Sequence, residues 1–92
     1  MAIVRVHAIV CGRVQGVFFR DFTVQQAESL GLTGWVRNCS NGTVESEIQG
    51  EESEVSRMIH WFHEGSPLSQ VTGVKTNPAM VCLAERTFVV KY

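Results

Sequence analysis

The feature that most constrains this chain is a hydrophobic pattern that twice switches from alternation to a helical stripe and back. Ile3 to Val10 alternates, with Val4, Val6, Ala8 and Val10 on one face and Arg5 and His7 on the other, as in a strand with one buried side. From Phe19 to Leu30 the period lengthens. Phe19, Phe22, Ala27 and Leu30 share a helical face, Asp21 sits in the first turn, and Gly31 stands where a helix stops. Leu32 to Asn38 reads as a second strand. Asn41-Gly42 closes a loop, and Thr43 to Gln49 alternates again, with Val44, Ser46 and Ile48 opposite Glu45, Glu47 and Gln49. Val55, Met58, Ile59 and Phe62 then recur at i, i+3, i+4 and i+7, a second amphipathic helix. Glu51, Glu52 and Glu54 favour its N-terminus, and Gly65 and Pro67 end it. Val71 to Lys75 predicts a short edge strand that Pro78 limits, and Phe88 to Tyr92 a final strand.

The order is β-α-β-β-α-β, with room for one extra strand. It predicts an α+β, ferredoxin-like split β-α-β sandwich: a four- to five-stranded antiparallel sheet with two helices on one face. The 92 residues form one domain, 1–92, because two pieces would each be too small to bury a core. A net charge of −1 argues against nucleic acid or an anionic membrane as a partner, since such binding leaves a basic footprint. No apolar stretch approaches the roughly 18 residues of a spanning helix. The N-terminus lacks the pattern of a secretory signal, and Cys11, Cys39 and Cys82 share no close spacing. Reduced thiols, a cytoplasmic location and a monomer are therefore expected.

Such folds host RNA-binding modules, metal chaperones, sensors and enzymes alike, so the site residues must decide the function. The run Val10-Cys11-Gly12-Arg13-Val14-Gln15-Gly16-Val17-Phe18-Phe19-Arg20 leads a strand through two glycines into a helix. Amides turning toward a helix N-terminus cradle an anion, because they lack helical partners and the macrodipole is positive there. Arg20 adds a permanent cation whose fork matches phosphate oxygens. The same run can also be a tight turn followed by a solvated arginine. It is no nucleotide-binding P-loop, because the glycine-lysine-serine/threonine ending is missing. Asn38, ending Gly34-Trp35-Val36-Arg37-Asn38, is either a turn former or an amide that orients a water.

The remaining chemistry-bearing residues have plainer readings. His60 and His63 lack nearby partners in ligand spacing and read as helix residues; no metal is expected. His7 is expected at the surface. Cys39, directly after Asn38, reads either as a small tolerated loop residue or as a thiol whose oxidation would obstruct the site. Thr43 is a candidate to hold Asn38 in place. Of Phe18 and Phe19, one must start the helix core. No aromatic, basic RNA-binding motif surrounds them.

Both runs resemble the acylphosphatase family. The first reads apolar-x-Gly-x-Val-Gln-Gly-Val-x-Phe-Arg from Val10 to Arg20. The second reads Gly-Trp-Val-Arg-Asn, three residues, Gly-x-Val, five residues, Gly from Gly34 to Gly50. Met58, Trp61, Gly65-Ser66-Pro67 and Phe88-Val89-Val90 extend the similarity, and only Asn77 to Glu85 falls outside it. The resemblance implies hydrolysis of a small-molecule acyl phosphate to a carboxylate and inorganic phosphate, without metal or cofactor. Arg20 and the loop amides of Gln15, Gly16, Val17, Phe18 and Phe19 would bind the phosphoryl group, and Asn38 would position the attacking water. Related domains also occur fused in larger proteins that handle carbamoyl phosphate. This chain is expected to be the free-standing form.

Overall fold

The computed structural model describes residues 2–92. Strand β1 (Ile3–Arg13) leads through a loop to helix α1 (Phe19–Ser29). A hairpin of β2 (Thr33–Asn38) and β3 (Val44–Glu51) follows, then helix α2 (Glu52–Glu64), β4 (Gln70–Ala79) and a short β5 (Phe88–Val90). The sheet order is β4-β1-β3-β2-β5. Three of the neighbouring pairs are antiparallel, but β5 lies parallel to β2. The five-stranded sheet is thus mixed, where the alternation predicts an antiparallel one. Between β4 and β5 the chain crosses from one edge of the sheet to the other, and it arrives running the same way as β2.

The helix-facing side of the sheet forms the core. Ala8, Val10, Val36, Val44 and Ile48 pack with Phe19 and Ala27 of α1 and Val55, Met58 and Phe62 of α2. In α2 the expected stripe is buried, with Ile59 at its margin. In α1 the buried face is instead Phe19, Thr23 and Ala27. Phe22 lies outside this stripe and stays exposed. Thr23 is accepted in the core because its hydroxyl donates to the carbonyl of Phe19 at 2.7 Å. Phe19 also stacks on Phe62 and tilts against Trp61, with centroids 6.2 and 5.5 Å away, tying the first turn of α1 to the end of α2.

Strand β4 runs to Ala79, past the limit expected from Pro78. It is an edge strand paired only to β1, so a missing N–H can face outward at no cost to the ladder. β1 bulges between Cys11 and Gly12. A side chain at Gly12, where φ is +117°, would run into the carbonyl of Gln70. The bulge bends the end of β1 and re-aims the loop that follows.

The other sheet face is polar but not simply solvated. Arg5, expected on an open face, is only 6% exposed. The segment between β4 and β5 lies over it as a strap. Arg5 Nη1 donates to Gln49 Oε1 (3.0 Å) and Glu85 Oε1 (2.8 Å), and its Nε to Glu47. Gln49 in turn exchanges hydrogen bonds with the backbone of Cys82 at 2.9 and 2.7 Å. His7 is half-buried beside Glu45, 2.6 Å away. Burial alone would raise the Glu85 carboxyl. Hydrogen bonds from Arg5 and Thr33 outweigh it and hold the group below the usual carboxylate range. A carboxylate depressed in the folded state stabilises the fold above its unfolded pKa, and that contribution is lost as pH falls through the folded value. Glu85→Gln is therefore expected to cost about 1–2 kcal/mol at pH 7. The substitution should also flatten the loss of stability below about pH 4, as urea melts across pH 3–7 would show.

Candidate active site

A cleft of about 370 Å³ opens on the helix-facing side, at the end of the sheet where β1 gives way to α1. Val14, Gly16, Phe18, Phe19, Arg20, Asp21, Asn38 and Tyr92 line it. The structure thus brings Arg20 and Asn38 to one cavity from separate elements, with the loop between β1 and α1 as its wall.

The backbone of that loop alternates in hand. Gly16 has φ +72°, and Phe18, at the N-cap of α1, has φ +60° and ψ +22°. Glycine takes this left-handed conformation freely. A phenylalanine there is a strained outlier, worth roughly 1–3 kcal/mol that the surroundings must offset. Among the described residues, the amides from Gln15 to Asp21 donate to no protein group, and the first such bond of the helix is Phe22 N–H to the Phe18 carbonyl at 3.1 Å. Such a run of unpaired donors at a helix N-terminus has the form of an anion-binding concavity. Val17 anchors it from beneath: its side chain is buried, and its carbonyl accepts a hydrogen bond from Ser66 Oγ at 2.9 Å.

Arg20 lies on the second position of α1, half-buried, with its guanidinium 5.4 Å from the Tyr92 ring. Among the described residues it forms no salt bridge, whereas Arg5 and Arg37 are engaged by glutamates. A cation held by an aromatic ring and left without a counterion keeps its fork available to a ligand. Asn38 ends β2 on the same face as the buried Val36. Its Oδ1 is buried and, among the described residues, has no hydrogen-bond partner. A buried acceptor left unpaired is costly, and it marks a place where a donor belongs.

Sequence reasoning missed the device that joins these parts. The Gln15 side-chain amide donates to the carbonyls of Cys39 (2.8 Å) and Thr43 (2.9 Å), the residues that flank the turn after Asn38. The Thr43 hydroxyl goes elsewhere, to Asn41 Oδ1 at 2.7 Å, so its carbonyl and not its side chain bears on the site. Cys39 points its thiol at Glu45, 3.9 Å away, on the strap side of the sheet and away from the cleft. Asp21 and Tyr92 also line the cleft without having been selected. Asp21 stood next to Arg20 in the chain, but nothing local could have marked Tyr92. His60 and His63 lie on α2, and no group of three or more His, Cys, Asp or Glu comes together among the described residues.

Residues 6–90 match the acylphosphatase family model. The chain belongs to the acylphosphatase family. It is 46% identical over 87 residues to an acylphosphatase of Rubrobacter xylanophilus, an alignment covering 95% of this chain and 79% of that one. Among solved structures, an acylphosphatase from Coxiella burnetii superimposes with a TM-score of 0.92 at 38% identity, covering 97% of this chain and 93% of that one. The acylphosphatase of Bacillus subtilis gives the same TM-score at 33% identity, covering 99% and 100%. The enzyme's family hydrolyses acyl phosphates, and the cleft presents donors suited to a phosphoryl group. No helix among the described residues is long and apolar enough to cross a membrane. Because Gln15 alone among the described residues ties the cradle to the Asn38 turn, through two hydrogen bonds, Gln15→Ala is expected to destabilise the enzyme by about 1–2 kcal/mol. It should also speed amide exchange at Cys39 and Thr43, which hydrogen-exchange NMR would resolve.

Proposed function

We propose that the enzyme hydrolyses acyl phosphates in the cleft between α1 and Asn38, without a metal ion. The observation that carries this reading is the coincidence, in one cavity, of cradle amides without partners, a guanidinium without a carboxylate and a buried amide oxygen without a donor, each among the described residues. The first two suit a phosphoryl dianion, and the third suits a water.

In this reading the amides from Gln15 to Phe19 and the fork of Arg20 hold the phosphoryl oxygens. Charge in the transition state spreads over those oxygens, so fixed donors stabilise it most where they already point. Asn38 Oδ1 accepts a hydrogen bond from the water and aims its lone pair at phosphorus. The P–O bond to the acyl group breaks as the new one forms, and the carboxylate leaves with the bonding pair. The water's proton passes to a phosphoryl oxygen of the substrate itself, giving dihydrogen phosphate. A carboxylate is a stable anion, so no protein acid has to protonate it. Positioning two reactants in this way supplies much of the rate gain that such a site needs.

Arg20→Gln and Asn38→Ala should each lower kcat/KM for acetyl phosphate by roughly 100-fold or more, with far-ultraviolet dichroism and melting temperature retained. Wild-type turnover should survive excess chelator, and its pH dependence should follow the ionisation of the substrate. Near-normal turnover by Arg20→Gln, or loss of activity on chelation, would refute these assignments.

A further inference from the structure

We propose that the phenyl ring of Phe18 is the acyl-recognition surface of this cleft, and that it selects acyl phosphates whose acyl group is aromatic or bulky and apolar. The inference rests on acyl phosphate hydrolysis at the cradle and adds to it a substrate class.

The two adjacent phenylalanines behave in opposite ways. Phe19 is 1% exposed and stacks with Trp61 and Phe62, which accounts for it as a core residue. Phe18 is 65% exposed although it lines the cleft, and among the described residues it stacks with no other aromatic. Packing therefore gives no reason for a phenyl group there. The backbone gives a reason against one, since Phe18 is the one non-glycine residue with positive φ among those described. Glycine or asparagine would serve the turn with less strain. A large apolar side chain at a strained, exposed position beside a ligand cavity points to contact with the ligand.

The chemistry leaves one part of the substrate for it to touch. The cradle and Arg20 take the phosphoryl end, which all acyl phosphates share. The acyl group departs in line with the attacking water, so it extends from phosphorus along the cleft wall. The apolar portions of that wall are Val14, Phe18, Phe19 and Tyr92. Val14 and Phe19 are sunk in the core, and the Tyr92 ring is already engaged by the Arg20 guanidinium. Phe18 offers an exposed aromatic ring that, among the described residues, no aromatic or cationic group engages. An acetyl group is too small to cover such a face, whereas a benzoyl group can stack on it.

The test compares benzoyl phosphate with acetyl phosphate as substrates, and benzylphosphonate with methylphosphonate as non-hydrolysable inhibitors. Wild-type enzyme should favour the aromatic member of each pair. Phe18→Gly removes the ring while relieving the strained φ. It should lower the benzoyl-to-acetyl ratio of kcat/KM by roughly 2- to 10-fold, chiefly through KM for benzoyl phosphate, and the inhibitor ratio in parallel. Phe18→Tyr keeps an aromatic face and should keep both ratios. Unchanged ratios in Phe18→Gly, or a parallel fall for both substrates, would overturn the proposal, the latter by showing that Phe18 serves only the cradle. A wild-type enzyme that hydrolyses neither substrate would instead overturn the functional reading beneath it.

Discussion

The two halves of the site grow from strands that are not neighbours. The cradle follows β1 and Asn38 ends β2, while β3 lies between them in the sheet. Two inter-strand steps separate them, about 10 Å, too far for most side chains to bridge directly. The Gln15 amide closes the gap by donating to carbonyls on the β2–β3 turn, which joins the end of β2 to the start of β3. Both of its protons are used, so the loop is fixed in two directions. The cradle's other anchors, the Val17 side chain and its Ser66 bond, act from below. In the proposed site this bracing matters because unpaired amides serve a ligand best when their directions are fixed before it arrives.

The fold was largely legible from periodicity, because both helices and the hairpin each bury one face and must therefore write a stripe. What escaped were features set by the other side of the sheet. Arg5 looks like a solvent-facing residue in any local window. Only the strap, whose residues carry no periodic signal, turns it into the centre of a buried network. The parallel placement of β5 and the reach of β4 past Pro78 likewise follow from that crossing and from edge position, neither of which is local. For the candidate site, the meeting of Arg20 and Asn38 in one cleft was legible because they sit at element ends, where loops carry chemistry. The Gln15 side chain was not. Its sequence neighbourhood marked its amide, while its partners lie more than twenty positions away.

Charge is distributed between the two faces in contrasting ways. On the strap side, Arg5 and Arg37 are each matched by glutamates, and Glu45 serves His7 and Arg37 together. A hydrogen bond from His7 first, and then one from Arg37, hold the Glu45 carboxyl below the usual carboxylate range against the opposing effect of burial. On the cleft side, Arg20 has an aromatic ring in place of a carboxylate. In a protein of net charge −1, the proposed anion capture depends on a small number of oriented donors, and the long-range field contributes little.

The strap has a kinetic meaning as well. β5 joins β2 through partners such as Gly34 and Phe88, and β1 joins β4 through His7 and Asn77, so much of the sheet is zipped between distant parts of the chain. Loop-closure entropy must be met before such pairings return any stabilisation, which slows folding relative to a helical bundle of equal size. The β2–β5 pairing also carries the chain on to Tyr92, beside Arg20. Completion of the cleft wall thereby depends on a long-range contact, and a chain lacking it would hold a cradle without its aromatic edge.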